Sequence, residues 1–577
     1  MTFDIKNKGN AEQVVLTRLN DRVPGIEYYK LEVTWKEPST PEEILIGWDE
    51  PMGELEAGWT PTKNPGYPLC YGPHQDSRYC TGAPMCVSIG PGGANYVTVA
   101  LLDSVIPTKI RFVSDELGRL NTFWTVQLFH APSDRRTSYS TVLRIDRRSI
   151  PWYDAAQQVA LWWEEELHTE KKVPDLTETP LYSTWYIYRQ NPRQEILERE
   201  LKKVSELGFR TVILDDGWQF DPEEGLYAYC GDWEPSPVKF PDFAGFVEKV
   251  HSYGMKILVW FALPFAGYDS KCYQTFRDKI FDDRYPKLKT ALLDIRFPEV
   301  RKYLTDLYLR FIRDYKLDGV KLDFLDSYHT SDRSAPFREG MDCESIETAT
   351  KIMLEEITAV TRSADPDFLV EFREHYFGPE ILRNGNIVRN GDCPFDPLQN
   401  HFGIANLRLF VRSSAIHSDM MIWSVKETPE RGCLNFVHSL FGVPQISVSF
   451  LDLPEKHLEM VQAVLRYWEK NKEILLHGHF RASHPELMYT VCSSENEEKR
   501  ITVLYCEGAY TYAGFSEEDI WRTECEGDVL VRNPACESLR ITVFDCFGKV
   551  RSETVTSQPC FAVLTPRAGR IELRKIR

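Results

Sequence analysis

VRKYLTDLYLRFIRDYKLDGVKLD, residues 300–323, carries the pattern that decides the architecture. Val300, Tyr303, Leu304, Leu307, Phe311 and Ile312 recur at helical spacing and mark one apolar face. The helix they define delivers the chain to Gly319-Val320-Lys321-Leu322-Asp323, a short apolar run that reads as a buried strand ending in a carboxylate. A helix that feeds directly into a strand is one step of a β/α alternation.

The same step repeats on both sides. Upstream, Tyr182-Ser183-Thr184-Trp185-Tyr186 reads as a strand. The helix after it is predicted with Asn191 as N-cap, Pro192 at the first position, Leu197, Leu201, Val204 and Leu207 on its apolar face, and Gly208 as its stop. Residues 211–214 and 256–260 follow as strands. Downstream, residues 368–372, 386–389, 414–417 and 445–448 complete eight candidates over about 270 residues, the size and rhythm of a (β/α)8 barrel.

The flanks have a different grain. Residues 1–150 hold short β-rich runs at 28–35, 96–102, 109–113, 125–128 and 141–145, with a loop-rich stretch at 48–93 dense in Gly, Pro and Tyr. Short strands at this spacing predict an N-terminal β-sandwich. Residues 151–179 read as a helical linker, with a helix over 152–172, and 180–476 as the barrel. In 477–577 the runs 487–492, 500–506, 530–532, 540–544 and 560–564 predict a C-terminal antiparallel β-sandwich. The fold class expected is multidomain, α/β at the centre and all-β at both ends.

Composition narrows the function. The chain has 577 residues, with 42% hydrophobic and 27% charged, so a coiled coil, a collagen and a wholly disordered chain are excluded. Its 68 Lys and Arg against 86 Asp and Glu leave a net charge of −18, which disfavours nucleic acid and anionic membrane surfaces as partners. No apolar run is long enough for a membrane span. The stretch Met1-Thr2-Phe3-Asp4-Ile5-Lys6-Asn7-Lys8 lacks the apolar core of a secretory signal. Fourteen scattered cysteines without a Cys-x-x-Cys pair read as reduced thiols, so a cytoplasmic location is expected and a cysteine metal site is not. Aromatic residues make up 12%, 14 of them Trp, and such rings are common platforms for sugars as well as core.

In a barrel of this kind the carboxyl ends of the strands build the site. Trp185 and Tyr186 end the first strand, Asp215-Asp216-Gly217-Trp218 follows the second, Trp260 ends the third and Lys321-Leu322-Asp323 the fourth. Glu371-Phe372-Arg373-Glu374-His375 leaves the fifth, Arg389-Asn390-Gly391-Asp392 the sixth, and His417-Ser418-Asp419 the seventh. Carboxylates, cations and tryptophans therefore converge on one mouth. Carboxylates crowded in a partly dry site cannot all ionise freely, so one is expected to be pushed toward the acid and another held charged by a cation. That division suits glycosidic bond cleavage. Lys321 and Asp323 share one strand face, and the ammonium would favour an ionised, nucleophilic Asp323. A strand-end salt bridge is the competing reading. Asp215-Asp216 can bind sugar hydroxyls or simply cap a turn, and turn chemistry alone can explain Asp392. His477-Gly478-His479 has metal-like spacing but lies beyond the barrel and reads as structural.

Taken in order, Trp185-Tyr186-x-Tyr188, Asp215-Asp216-Gly217-Trp218, Gly231-Asp232-Trp233, Trp260 and Lys321-x-Asp323-Phe324 resemble glycoside hydrolase family 36, the retaining α-galactosidases. Arg389-Asn390-Gly391-Asp392-Cys393-Pro394-Phe395 is similar to that family's later acid/base loop. The resemblance spans roughly residues 180–450. It implies Asp323 as nucleophile and Asp392 as general acid/base. It also implies Asp215, Asp216, Lys321 and Arg389 as hydroxyl-binding groups, and Trp185 and Trp260 as walls of the −1 subsite. No cofactor or metal is implied. The expected substrate is a terminal α-linked sugar, galactose first, of an oligosaccharide or glycoside. An α-N-acetylgalactosaminide, an acidic or modified sugar, transglycosylation, a homo-oligomer and a non-catalytic sugar-binding protein stay open, as does a barrel that uses Asp215, Asp216 and Asp323 as metal ligands. The chain departs from the family at Arg373, Glu374 and His375, where a small Cys/Gly-rich loop is usual and where Arg373 and His375 could bind an acidic or modified sugar or balance the local carboxylates, and at Asp396, a second acid beside Asp392. Trp48 and Trp59 are candidates to cap the subsite from the N-terminal side.

Overall fold

Eight parallel strands form the centre of the computed structural model, which describes residues 2–20, 22–51, 53–62, 74–114, 121–169, 173–219, 226–373, 375–506, 508–523 and 526–576. They are β1 (Leu181–Ser183), β2 (Thr211–Leu214), β3 (Lys256–Ala262), β4 (Gly319–Asp323), β5 (Leu369–Arg373), β6 (Ile387–Arg389), β7 (Ala415–His417) and β8 (Gln445–Ile446). They pair in the order β7-β6-β5-β4-β3-β2-β1-β8. Between β7 and β8 the ladder is completed by flanking residues. The Val443 N–H donates to the Ile416 carbonyl and the Met421 N–H to the Gln445 carbonyl, each at 2.8 Å. The expected barrel is therefore present and nearly closed, and it leaves no free sheet edge at its centre.

The helix before β4 spans Pro298–Tyr315. Pro298 occupies the first turn, where its missing N–H costs nothing, and Lys316 closes the last turn at φ +55° with its N–H on the Ile312 carbonyl at 2.9 Å. Val300, Leu304, Leu307, Tyr308 and Phe311 are buried. Tyr303 and Ile312 are only partly buried, and the Tyr303 hydroxyl donates to the Gly231 carbonyl at 2.7 Å. The buried stripe is thus turned slightly from the expected one.

Other boundaries also differ. Trp185 and Tyr186 leave β1 and open a short helix, Trp185–Tyr188, after which Arg189 at φ +49° turns the chain. That turn delays the next helix to Gln194–Glu206, so Arg193 rather than Asn191 stands at its cap. The linker helix covers Trp152–Leu167, while 170–172 lie outside the described residues.

At the N-terminal end a five-stranded and a six-stranded sheet face each other around their own core, which includes Trp48 stacked on Trp124 at 6.1 Å. The loop-rich stretch 48–93 contains the strands Ala57–Trp59, His74–Ser77 and Met85–Gly90, and 63–73 lie outside the described residues. At the C-terminal end a seven-stranded and a three-stranded sheet pack over Val529, Val531, Ile541 and Leu573. Most pairs there are antiparallel as expected. Lys499–Leu504 and Glu517–Arg522 are parallel because the chain crosses to the other sheet between them, at Ala509–Thr511. The run expected at 487–492 begins only at Val491, since Met488 and Tyr489 adopt φ +58° and +60°. Among the described residues Cys80, Cys230, Cys272 and Cys433 are buried free thiols, and no helix is long and apolar enough to cross a membrane.

Leu304 lies fully buried at the centre of the stripe that seats β4. Leu304→Ala is expected to destabilise the barrel by about 2–5 kcal/mol, read as a fall in the first thermal transition with the far-UV spectrum retained.

Candidate active site

The ends of β2, β4, β5, β6 and β7 bring the expected charged residues to one mouth. Asp323, last residue of β4, is 9% exposed. Its Oδ2 accepts the Trp260 indole N–H at 3.0 Å, and its Oδ1 accepts the Phe324 N–H at 2.8 Å. Arg373, last residue of β5, places Nε 3.0 Å from the same Oδ1, and the Tyr376 hydroxyl lies 3.4 Å from it. Burial pushes the Asp323 carboxyl up, but Arg373 and Lys321 outweigh it and hold the group below the usual carboxylate range.

Lys321 does not pair with Asp323. Two residues apart on a strand, the side chains share a face but stand roughly 6.6 Å apart, and the ammonium reaches Asp215 Oδ2 at the end of β2, at 2.6 Å. Asp215 is seated by its N–H on the Thr184 hydroxyl at 2.9 Å and accepts the Asp216 N–H at 2.9 Å. Asp216 accepts from Gln190 at 2.6 Å and Gln219 at 3.1 Å, and burial lifts its carboxyl to about 7. Gly217 makes this corner possible. At φ +99° a Cβ there would lie 2.4 Å from the Gln190 Cα, so no larger residue fits between the two acids and Trp218.

Arg389, last residue of β6, is 1% exposed and serves several acids at once. It pairs with Asp419, donates to Asp392 Oδ1 at 2.8 Å and lies 3.6 Å from Glu371. Asp392 itself is open to solvent, with 47% of its side chain exposed. Burial of its surroundings opposes ionisation, yet Arg389, Lys321 and Arg373 hold the carboxyl well below the usual range. The expected split between raised and charged carboxylates is present at the mouth, but in the free protein it does not fall between Asp323 and Asp392. Both Asp323 and Asp392 are held as carboxylates. The groups pushed up, by burial in each case, are Asp216, Glu371 (to about 7), Asp326 and Asp419.

One guanidinium lies between the two acids of interest. Arg373 Nη1 is 4.0 Å from Asp392 Oδ2 while Nε holds Asp323, and Nη2 reaches Asp326 at 3.3 Å. This bounds the Asp323–Asp392 separation at about 10 Å, a span that admits carboxyl pairs able to flank one glycosidic bond.

The remaining expected residues fall into three groups. Trp185 is half-buried just past β1 with the Arg189 guanidinium 5.6 Å from its ring. Trp260 is 1% exposed and stacked on Tyr227, so it orients Asp323 through its N–H and shows no open face. His375 receives the Gly82 N–H on its carbonyl at 3.0 Å, which ties the N-terminal sheets to this loop, and Glu374 lies outside the described residues. Asp396 is no rival acid: it caps the helix Pro397–Arg408, accepting the Gln399 N–H at 3.0 Å. Trp48 and Trp59 do not cap the mouth. Trp48 is inside the N-terminal sandwich, and Trp59 is 3% exposed with its N–H on Asn406 and Tyr489. His477 and His479 pair with Glu178 and Asp154 at 3.0 and 2.6 Å, in keeping with a structural reading. Asp215 and Asp323 are already engaged by Lys321 and Arg373, a donor set that a dication would have to displace.

Asp419 was legible only as a strand end. Fully buried, it accepts the Tyr186 hydroxyl and the Cys393 N–H, both at 2.7 Å, and so fastens the Asp392 loop to β7. An acid at a predicted barrel strand end was the one signal for it and for Glu371, and Tyr376 left none.

The melibiase family model matches residues 176–356, the stretch that carries β1 to β4 and Asp323. The chain is 30% identical over 108 residues to the α-galactosidase Mel36A of Lactobacillus acidophilus, covering 18% of this chain and 15% of that protein. It is 36% identical over 86 residues to α-galactosidase 1 of Pediococcus pentosaceus, covering 14% and 12%. The matched stretches thus span less than a sixth of either relative's length. The family 36 α-galactosidase AgaA of Geobacillus stearothermophilus, solved in complex with stachyose, has the same fold. It superposes with a TM-score of 0.67 at 13% identity over 98% of this chain and 81% of that one. The family resemblance and the barrel flanked by β-rich regions are borne out.

Lys321 and Asp215 expose only 3% of each side chain. Lys321→Met, which leaves Asp215 buried without its cation, is expected to cost about 3–5 kcal/mol in chemical denaturation, and adding Asp215→Leu is expected to recover a large part of it. A single variant as stable as the native protein would contradict the pairing.

Proposed function

We propose that this chain is a retaining glycoside hydrolase that removes terminal α-linked sugars, α-D-galactosides first among them. The observation that carries the reading is the Arg373 guanidinium at the end of β5, shared by Asp323 at the end of β4 and Asp392 in the loop that follows β6. The melibiase match, the α-galactosidase relatives and the stachyose complex of AgaA support the substrate class.

In this reading Asp392 gives its proton to the glycosidic oxygen while Asp323 attacks C1. The C1–O bond breaks, an ester to Asp323 forms, and the leaving group departs neutral. Asp392, now a carboxylate, takes a proton from water. The water oxygen attacks C1, the ester breaks, and the sugar leaves with its α configuration. Trp260 and the Phe324 N–H fix the attacking carboxylate. Asp215, Asp216 and Lys321 form a buried polar floor for ring hydroxyls, and Arg389 with Asp419 holds the Asp392 loop. A docked sugar strips water from the half-exposed Asp392 and so raises its pKa toward that of an acid. No step calls for a metal or an organic cofactor. Buried free thiols such as Cys80, Cys230 and Cys433 fit a reducing, cytoplasmic setting.

Asp323→Ala is expected to abolish turnover of p-nitrophenyl α-D-galactoside, a loss of at least 1,000-fold on the order of other removed nucleophiles, with the melting profile kept. Proton NMR of the native reaction is expected to show the α-anomer first, and the β-anomer first would mean inversion. Arg373→Gln removes a cation that favours both carboxylates, so both pKa values rise. Because kcat/KM needs Asp323 ionised and Asp392 protonated, both limbs of its pH profile are expected to move to higher pH. An unmoved profile would remove Arg373 from this role.

A further inference from the structure

We infer that Phe395 is the platform of a leaving-group subsite, stacking on the apolar face of the sugar ring that follows the scissile bond. The inference rests on the reading of Asp392 as the acid that protonates that bond. Residues 393–396 form a tight turn closed by the Asp396 N–H on the Cys393 carbonyl at 3.1 Å. Pro394 stands at the second position of the turn and Phe395 at the third, with φ +61°. This is the type II pattern, in which the third position calls for Gly or Asn because a Cβ is strained there. Phe is among the poorer choices for that backbone.

Burial does not explain the choice. Phe395 is 65% exposed, the most exposed large apolar side chain among the described residues, and Leu398, 39% exposed, lies one turn further on. The ring is disfavoured both by its backbone and by water. Strain and exposed apolar surface kept together mark a functional site more often than a packing one.

The mount is rigid at both ends. The Cys393 N–H is held by the fully buried Asp419 at 2.7 Å, and Asp396 is spent on capping the helix Pro397–Arg408. Phe395 is three residues from Asp392, so their Cα atoms are at most about 11 Å apart, within reach of a second sugar ring. An acid stands beside the oxygen that leaves, so its own loop flanks the leaving group. The nucleophile, Asp215 and Asp216 lie on the other side, toward the sugar that is retained. A phenyl face offers apolar contact and edge-oriented C–H contacts to a pyranose or furanose ring, which makes an oligosaccharide the fitting substrate.

The test compares kcat/KM on raffinose with kcat/KM on α-D-galactosyl fluoride, whose leaving group has no ring, in the native protein, Phe395→Ala and Phe395→Gly. The raffinose-to-fluoride ratio is expected to fall roughly tenfold in both variants, the order of one lost aromatic contact. Phe395→Gly is also expected to melt no lower than the native protein, because glycine relieves the turn. A ratio that stays at the native value overturns the inference while leaving the hydrolase reading in place. A native protein that cleaves neither probe overturns that reading, and the subsite with it.

Discussion

Three cations, the buried Lys321 and Arg389 and the partly buried Arg373, hold the barrel mouth together. Each pairs with carboxylates beyond its own strand: Lys321 ties β4 to β2, Arg373 ties β5 to the end of β4, and Arg389 ties β6 to β5 and β7. Without them the acids at the strand ends would repel one another in a medium too dry to screen them. With them, some are kept as carboxylates and others, such as Asp216 and Glu371, are left near neutrality. Stability and reactivity of the mouth are therefore set by the same few contacts.

The rest of the fold serves this arrangement. Short strands such as Ile387–Arg389 and Ala415–His417 would be weak alone, but in the nearly closed barrel the first is paired on both sides and the second pairs with β6 and is bridged to Val443 at His417. That rigidity fixes the last residue of each strand, where the charged groups stand. The N-terminal region braces the loop after β5, where the Gly82 N–H donates to the His375 carbonyl and the Ser104 hydroxyl accepts the Glu380 N–H. The free protein holds both Asp323 and Asp392 charged, and in the proposed reaction Asp392 takes up its proton from solvent as the docked sugar raises its pKa. This couples turnover to the exclusion of water from the mouth.

Much of this was legible in the residues. The apolar period of 300–312 and the strand 319–323 fixed the β/α step, and carboxylates after successive strands marked the mouth. What could not be read were partners set by distance across the barrel. Lys321 shares a strand face with Asp323, yet its ammonium is long enough to reach β2, and only the barrel's curvature brings Asp215 within 2.6 Å. Arg373 appeared as a departure from a family pattern, and its place between two acids depends on β5 lying beside β4 in register. Asp396 looked like a rival acid because spacing does not show that a helix begins at the next residue. Trp260 was read as a wall of the −1 subsite and Trp48 and Trp59 as candidates to cap it, but a tryptophan's sequence neighbours do not tell a packed ring from an open one.

The most direct measurement is the chemical trapping of the first intermediate. The native protein is incubated with 5-fluoro-α-D-galactosyl fluoride, digested, and its peptides analysed by mass spectrometry. The account predicts one added fluorogalactosyl group, on Asp323. A label on Asp392 or on any other carboxylate, formed as the protein loses activity, would contradict it.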